Sequence, residues 1–119
     1  MISYLMKVIH KFQYAFNGLF HGIIHDFSIR LQVILGFITI ASGIVLSFNR
    51  LEWIIVILLI FLVIGIEFIN SALEHVVDFV SPQYHDEAKI IKDYGAAAVL
   101  CISIAAFVIA CIIIGGKLI

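Results

Sequence analysis

An all-α integral membrane fold follows from three features of this chain of 119 residues. Apolar residues make up 64% of it, against about 45–50% in ordinary globular domains. Mean hydropathy is +1.21. Three apolar runs are each long enough to cross a bilayer, which takes about 20 residues. The length allows one domain at most, so residues 1–119 are read as a single membrane-embedded unit with a surface helix and three spans. A net charge of −1 leaves no basic field for nucleic acid.

The surface helix covers about residues 1–26. Leu5, Ile9, Phe12, Phe16, Leu19 and Phe20 recur every three to four positions, with Lys7, Lys11, Asn17 and His21 between them. That pattern predicts an amphipathic helix lying in the membrane interface rather than a signal peptide. The first span, 29–48, is almost wholly apolar beyond Arg30 and Gln32. A short polar turn at Asn49, Arg50 and Glu52 leads to Trp53, an indole at interface depth. The second span, 52–78, carries its polar residues in its last third. Ser81 to Glu87 forms a polar loop marked by Pro82, the only proline. The third span, 89–115, starts with Lys89, Lys92 and Asp93 and passes through Gly95, Ala96, Ala97 and Ala98. Small residues of this kind let helices approach closely in lipid. Cys101 and Cys111 are ten apart on one helix, about 15 Å along its axis, and cannot bridge there.

Lys7, Lys11, Arg30, Lys89 and Lys92 fall on one side of the membrane, and Arg50 and Lys117 on the other. The positive-inside rule therefore predicts a cytoplasmic N-terminus and a cytoplasmic second loop. On this reading the polar end of the second span opens to the cytoplasm.

The sequence concentrates its chemistry between Glu67 and Asp78, Glu-Phe-Ile-Asn-Ser-Ala-Leu-Glu-His-Val-Val-Asp. At about 100° per residue, Asn70, Ser71, Glu74 and Asp78 all fall within about 60° of Glu67. Five polar groups thus share one stripe. A carboxylate at hydrocarbon depth costs several kcal/mol unless it is paired, protonated or bound to metal. A helix end whose acids reach headgroup water accounts for Asp78 but not for Glu67. Asp26, Glu67, Glu74, Asp78, Lys92 and Asp93 gather at the cytoplasmic interface. Carboxylates that hold Mg2+ with a substrate's phosphates, together with a lysine, are the parts of a phosphoryl-transfer site. A further carboxylate beside a hydroxyl can serve as general base. The chain has no Gly-x-x-x-x-Gly-Lys loop, no Gly-x-Gly-x-x-Gly and no His-Glu-x-x-His. His75 faces about 100° away from Glu74 and reads as an interfacial polar residue.

The pattern Glu-x-x-Asn-Ser-Ala-Leu-Glu-x-Val-Val-Asp, followed by Tyr84 and His85 and then by Lys92 and Asp93 before an alanine-rich helix, resembles the prokaryotic diacylglycerol kinase family. That family includes the undecaprenol kinases of Gram-positive bacteria. The resemblance runs from the surface helix to about Leu100. It implies a homotrimeric, ATP- and Mg2+-dependent kinase acting on the hydroxyl of a membrane lipid, diacylglycerol or undecaprenol. By matching position, it implies Glu67 as general base, and Asp26 and Glu74 as metal ligands that also contact nucleotide. Lys7, Tyr14, Gln83, Tyr84, His85, Lys92 and Asp93 correspond to nucleotide-contacting positions. Asn70 and Asp78 match further polar positions of the site, and Glu67 and Ala96 stand beside the lipid. In two places the chain departs from the family pattern. Asp26 replaces the usual Glu, and Lys7 replaces an Arg found in some members, losing a bidentate phosphate fork.

Two other classes are compatible with a membrane acid. An ion or proton carrier requires polar residues through the outer halves of the spans, where only Thr39, Ser42 and Ser103 occur. A structural membrane subunit leaves the stripe without a purpose.

Overall fold

The computed structural model describes all of residues 1–119. Four helices account for nearly the whole chain: α1 (Ile2–His25), α2 (Phe27–Val45), α3 (Arg50–Val80) and α4 (Asp86–Leu118). The last three are long and apolar enough to span a membrane. Each join has a chemical cause. The Asp26 side chain caps α2 by accepting from the Ile29 N–H, and its extended backbone breaks α1 from α2. Asn49 and Glu52 form a reciprocal capping box at the start of α3, satisfying two of the N–H groups that a helix start leaves unpaired. His85 caps α4.

The first span ends three residues before the expected 48, at Val45. The reason is local: Ser47 takes a φ of 56°, a left-handed conformation that a continuing helix cannot contain. At the other joints the helices reach further than expected, α3 to Val80 and α4 back to Asp86.

α3 is the centre of the bundle and packs against both α2 and α4, while α1 packs on α2. The overall extents are 52 × 47 × 22 Å. Three parallel helices side by side, each about 10 Å across, do not fill 47 Å, so α1 lies across the bundle rather than within it. At the end opposite α1, Phe48, Val56 and Ile113 form a small core with Trp53 packed on it. Gly43 makes room for that indole: a Cβ there would stand 2.6 Å from Trp53 Cη2. The same end is closed by Lys117, which pairs with Glu52 at 2.8 Å and donates to the Ser47 carbonyl at 3.2 Å.

Only 12 of 119 residues are buried, so the chain hides little of its apolar surface by itself. Phe12, Phe16 and Phe20 of α1 and Phe37, Phe61 and Phe107 of the spans are all exposed. In water such a surface would aggregate; in lipid it meets its own kind. The site end is fixed by a second glycine. A Cβ on Gly22 would overlap the Phe68 ring, so the end of α1 rests directly on α3.

Candidate active site

The stripe on α3 includes the only charged side chain the chain buries. Glu67 is 5% exposed, Asn70 8% and Ser71 7%. The Glu67 carboxylate has no hydrogen-bond partner within the chain, and Asp26 and Glu74 both lie within electrostatic reach of it. One turn further along, Asn70 Nδ2 donates to Glu74 Oε1 at 3.3 Å. That bond orients the Glu74 carboxylate, since residues four apart on a helix lie one above the other.

Gly95 of α4 decides where Asn70 sits. Asn70 Oδ1 is buried without a donor, and a Cβ on Gly95 would overlap it and approach Leu73 Cδ2 to 3.0 Å. Gly95→Val should therefore drive Asn70 out of its place and loosen Glu74. Overpacking of this kind costs about 1–3 kcal/mol. Thermal unfolding in detergent measures the loss, and an unchanged midpoint contradicts the close contact.

Asp26 reaches the stripe from the α1–α2 joint. Its Oδ2 accepts from Ser71 Oγ at 2.6 Å, and its Oδ1 accepts from the Ile29 N–H at 3.2 Å. Partial burial works against the charge, but the hydrogen bonds from Ser71, Ile29 and Ser28, with His75 nearby, outweigh it and hold Asp26 below the ordinary carboxylate range. The capping bond explains an aspartate at this position, because the short side chain can fold back on its own helix start. Each carboxylate oxygen keeps a further lone pair for another partner. His75 donates from Nδ1 to the Ser71 carbonyl at 2.7 Å. With His21 and His25 it borders a recess of about 470 Å³ between α1 and α3.

The cations of α4 are paired. Lys92 makes an ion pair with Asp78, and Lys89 pairs with Asp93 at 2.7 Å. Both pairs are open to solvent, and such pairs are worth about 0–1 kcal/mol, so a phosphate can displace either. In the loop, His85 Nδ1 accepts from the Glu87 N–H at 3.1 Å, while the Gln83 carbonyl accepts from Ser81 Oγ at 3.2 Å. Tyr84 and Ala96 are exposed.

The structure thus brings Asp26, Glu67, Asn70, Glu74, Asp78 and Lys92 together around α3, while Asp93 pairs with Lys89 on its own helix. It does not bring Lys7 and Tyr14 there within one chain. They lie about 22 Å and about 12 Å along α1 from Gly22 at 1.5 Å per residue, and Tyr14 stacks on His10 instead, with ring centroids 6.2 Å apart. Ser71 is a contributor that motif reasoning did not single out, although its place on the stripe marked it.

No group of three or more His, Cys, Asp or Glu side chains stands ready for a metal. Mg2+ does not require one: it keeps several waters and takes one or two carboxylates with the substrate's phosphates. Asp26 and Glu74, two hard oxygen donors that flank Glu67, fit that need.

Fold and site define a multi-span membrane protein with a polar stripe that is buried at Glu67 and opens at one end of the bundle. The sequence profile of the prokaryotic diacylglycerol kinase family matches residues 13–114, and the chain belongs to that family. It is 35% identical over 109 residues to a diacylglycerol kinase of Synechocystis, covering 91% of this chain and 59% of that protein. It is 34% identical over 76 residues to the undecaprenol kinase of Bacillus subtilis, covering 64% of this chain and 62% of that one. The diacylglycerol kinase of Escherichia coli K12 is 29% identical over 108 residues, covering 91% and 88%. The chain therefore spans about three fifths of the length of the first two relatives.

Proposed function

We propose that this protein is a lipid kinase that transfers the γ-phosphate of ATP to the hydroxyl of a membrane lipid. The observation that carries this reading is the burial of Glu67, unpaired, on one helix face with Glu74 and the Asp26–Ser71 pair. Glu67 accepts the proton of the lipid hydroxyl or orients it for in-line attack. Asp26 and Glu74 are the residues that would hold Mg2+, which when bound neutralises phosphate charge. Lys92 leaves Asp78 to meet the transferring phosphate, and Asp78 keeps it within reach. Asn70 fixes the Glu74 carboxylate. The exposed loop from Gln83 to His85, with Asp93, borders the nucleotide from the water side, and Ala96 flanks the lipid.

Lys7 and Tyr14 touch none of the stripe residues within one chain, Tyr14 lying about 12 Å and Lys7 about 22 Å along α1 from Gly22. Three subunits offer a way to use them, with each α1 reaching a neighbour's stripe. A homotrimer also supplies protein to cover Glu74 and Lys92, since polar groups in a membrane normally face other protein. Light scattering on the detergent-solubilised protein reads the subunit number. A fully active monomer contradicts this part. By the loop charges, the stripe opens to the cytoplasm of a bacterium, where ATP is available.

An ion path is the weaker reading. The Thr39 and Ser42 hydroxyls donate to the carbonyls of Leu35 and Ile38 on their own helix, and the unpartnered Ser103 hydroxyl is a single group, too few for a polar file through the outer half of the bundle.

The purified protein in mixed micelles should make a lipid monophosphate with ATP and Mg2+, and should stop when EDTA removes the metal. Full activity in EDTA would remove Mg2+ from the account, and the roles of Asp26 and Glu74 with it.

A further inference from the structure

Within one chain, α1 rests on the bundle at its last turn. Its side chains from Met1 to His21 are all exposed. The helix has 24 residues, which makes it a lever of about 36 Å. Its seat is Gly22, where a Cβ would overlap the Phe68 ring and stand 3.1 Å from Ile29 Cδ1. A single residue in extended conformation, Asp26, joins it to α2. A swing of α1 about that residue turns the Asp26 carboxylate as well, and this carboxylate is the group that meets Ser71.

Arg30 stands where it resists such a swing. A helix end leaves its last carbonyls without donors from the helix itself. At the end of α1 the Gly22 carbonyl accepts from the Asp26 N–H. The next two accept from Arg30, whose Nη1 donates to the Ile24 carbonyl at 2.8 Å and to the Ile23 carbonyl at 3.4 Å. Arg30 belongs to the first turn of α2. Its bonds therefore cross the joint in the direction opposite to the cap: Asp26 reaches forward to the start of α2, and Arg30 reaches back to the end of α1. The guanidinium charge also suits the negative end of the α1 dipole. The ion pairs of the chain join Lys89 to Asp93, Lys92 to Asp78 and Lys117 to Glu52. Arg30 thus acts on Asp26 through the backbone and not as its counter-ion.

We propose that Arg30 is a positioning residue. By splinting α1 to α2 across Asp26, it keeps the Asp26 carboxylate turned towards Ser71, where that carboxylate would hold Mg2+ with the nucleotide. The effect on turnover rests on the lipid kinase reading; the effect on metal binding is read separately from it. Lysine at this position keeps the charge and the donors, whereas glutamine loses the charge and falls short of the carbonyls.

The test uses Mn2+ in place of Mg2+, with a non-hydrolysable ATP analogue, on the full-length protein in detergent. Electron paramagnetic resonance reads the free Mn2+. Arg30→Gln should weaken Mn2+ binding by about tenfold, the lower end for loss of an outer-shell partner of a metal. The Mg2+ needed for half-maximal lipid phosphorylation should rise by a similar factor, while the KM for lipid holds. Arg30→Lys should bind Mn2+ nearly as well as wild type. In a Ser71→Ala background, Arg30→Gln should add less than about twofold, because residues that act through one contact are not additive. Arg30→Met, which keeps the apolar stem, gives the same comparison should Arg30→Gln fail to fold. Unchanged Mn2+ binding in the Arg30 variants overturns the proposal. So does the same factor of loss with and without Ser71, or an equal loss on Mg2+ and lipid. A wild type that binds Mn2+ with the nucleotide but phosphorylates no lipid ends the kinase reading and leaves the positioning role to the Mn2+ data. A wild type that binds no Mn2+ ends the metal role of Asp26, and the proposal with it.

Discussion

Glu67→Gln should lower lipid phosphorylation by about 10²-fold or more, the range usual for loss of a general base. The substitution is nearly isosteric, and the site has room for it because no hydrogen bond within the chain holds the Glu67 side chain. The amide cannot accept the hydroxyl proton. ATP binding should change little, because Glu67 sits a full turn deeper than the Asn70–Glu74 pair on the same face. The loss therefore belongs in kcat, with the KM for ATP steady. The folded protein should if anything gain stability, since a buried carboxylate without a partner is costly. A variant that is both inactive and unfolded would give no support to the assigned role, and near-normal turnover would remove it.

Glu74→Gln should act on the other substrate. Its Oε1 can still accept from Asn70 Nδ2, as it does at 3.3 Å in the parent, so the local geometry survives. The charge that would hold Mg2+ does not. The concentrations of Mg2+ and ATP needed for half-maximal rate should rise by about tenfold or more, the scale at which even outer-shell partners of a metal act. The KM for lipid should stay near its parent value. A variant that raises the lipid KM and leaves ATP and Mg2+ alone would exchange the roles of Glu67 and Glu74. The two substitutions thus divide the site along the helix axis.

Much of this arrangement is legible in the chain because its signals are local. The spans rest on the lengths of apolar runs, and the stripe rests on the 3.6-residue period that places Glu67, Asn70, Ser71 and Glu74 on one face. Neither depends on where the other helices go. The contacts that complete the site are long-range. Asp26 and Ser71 are 45 residues apart, and only the seating of α1 against Phe68, through Gly22, brings them together. Gly95 reads in sequence as one member of a small-residue run, yet its specific use is to clear space for the Asn70 amide. α2 stops three residues short of the apolar run, because Leu46 and Phe48 continue that run while the backbone of Ser47 breaks the helix. Lys117 was legible only as a charge on the less basic side. Its pairing with Glu52 joins the last helix to the first turn and agrees with three crossings of the membrane. Lys7 and Tyr14 show the limit from the other direction: their residue types suit a nucleotide, but a single chain leaves them well away from the stripe.

An aspartate at position 26 also makes physical sense. A carboxylate that caps α2 and accepts from Ser71 already ties three elements together. Asp26→Ala would remove the cap, worth about 0.5–2 kcal/mol, and leave the Ser71 hydroxyl without its acceptor. Any effect of that variant on activity must therefore be read beside its stability.

The most direct measurement of the central claim follows the γ-phosphate. The purified protein is mixed with ATP labelled at the γ-position, Mg2+ and membrane lipid, and the organic phase is analysed for labelled lipid monophosphate. The account predicts label in the lipid with the wild-type protein and about 10²-fold less with Glu67→Gln. Folded wild-type protein that leaves all label in ATP, or releases it only as inorganic phosphate, would contradict it.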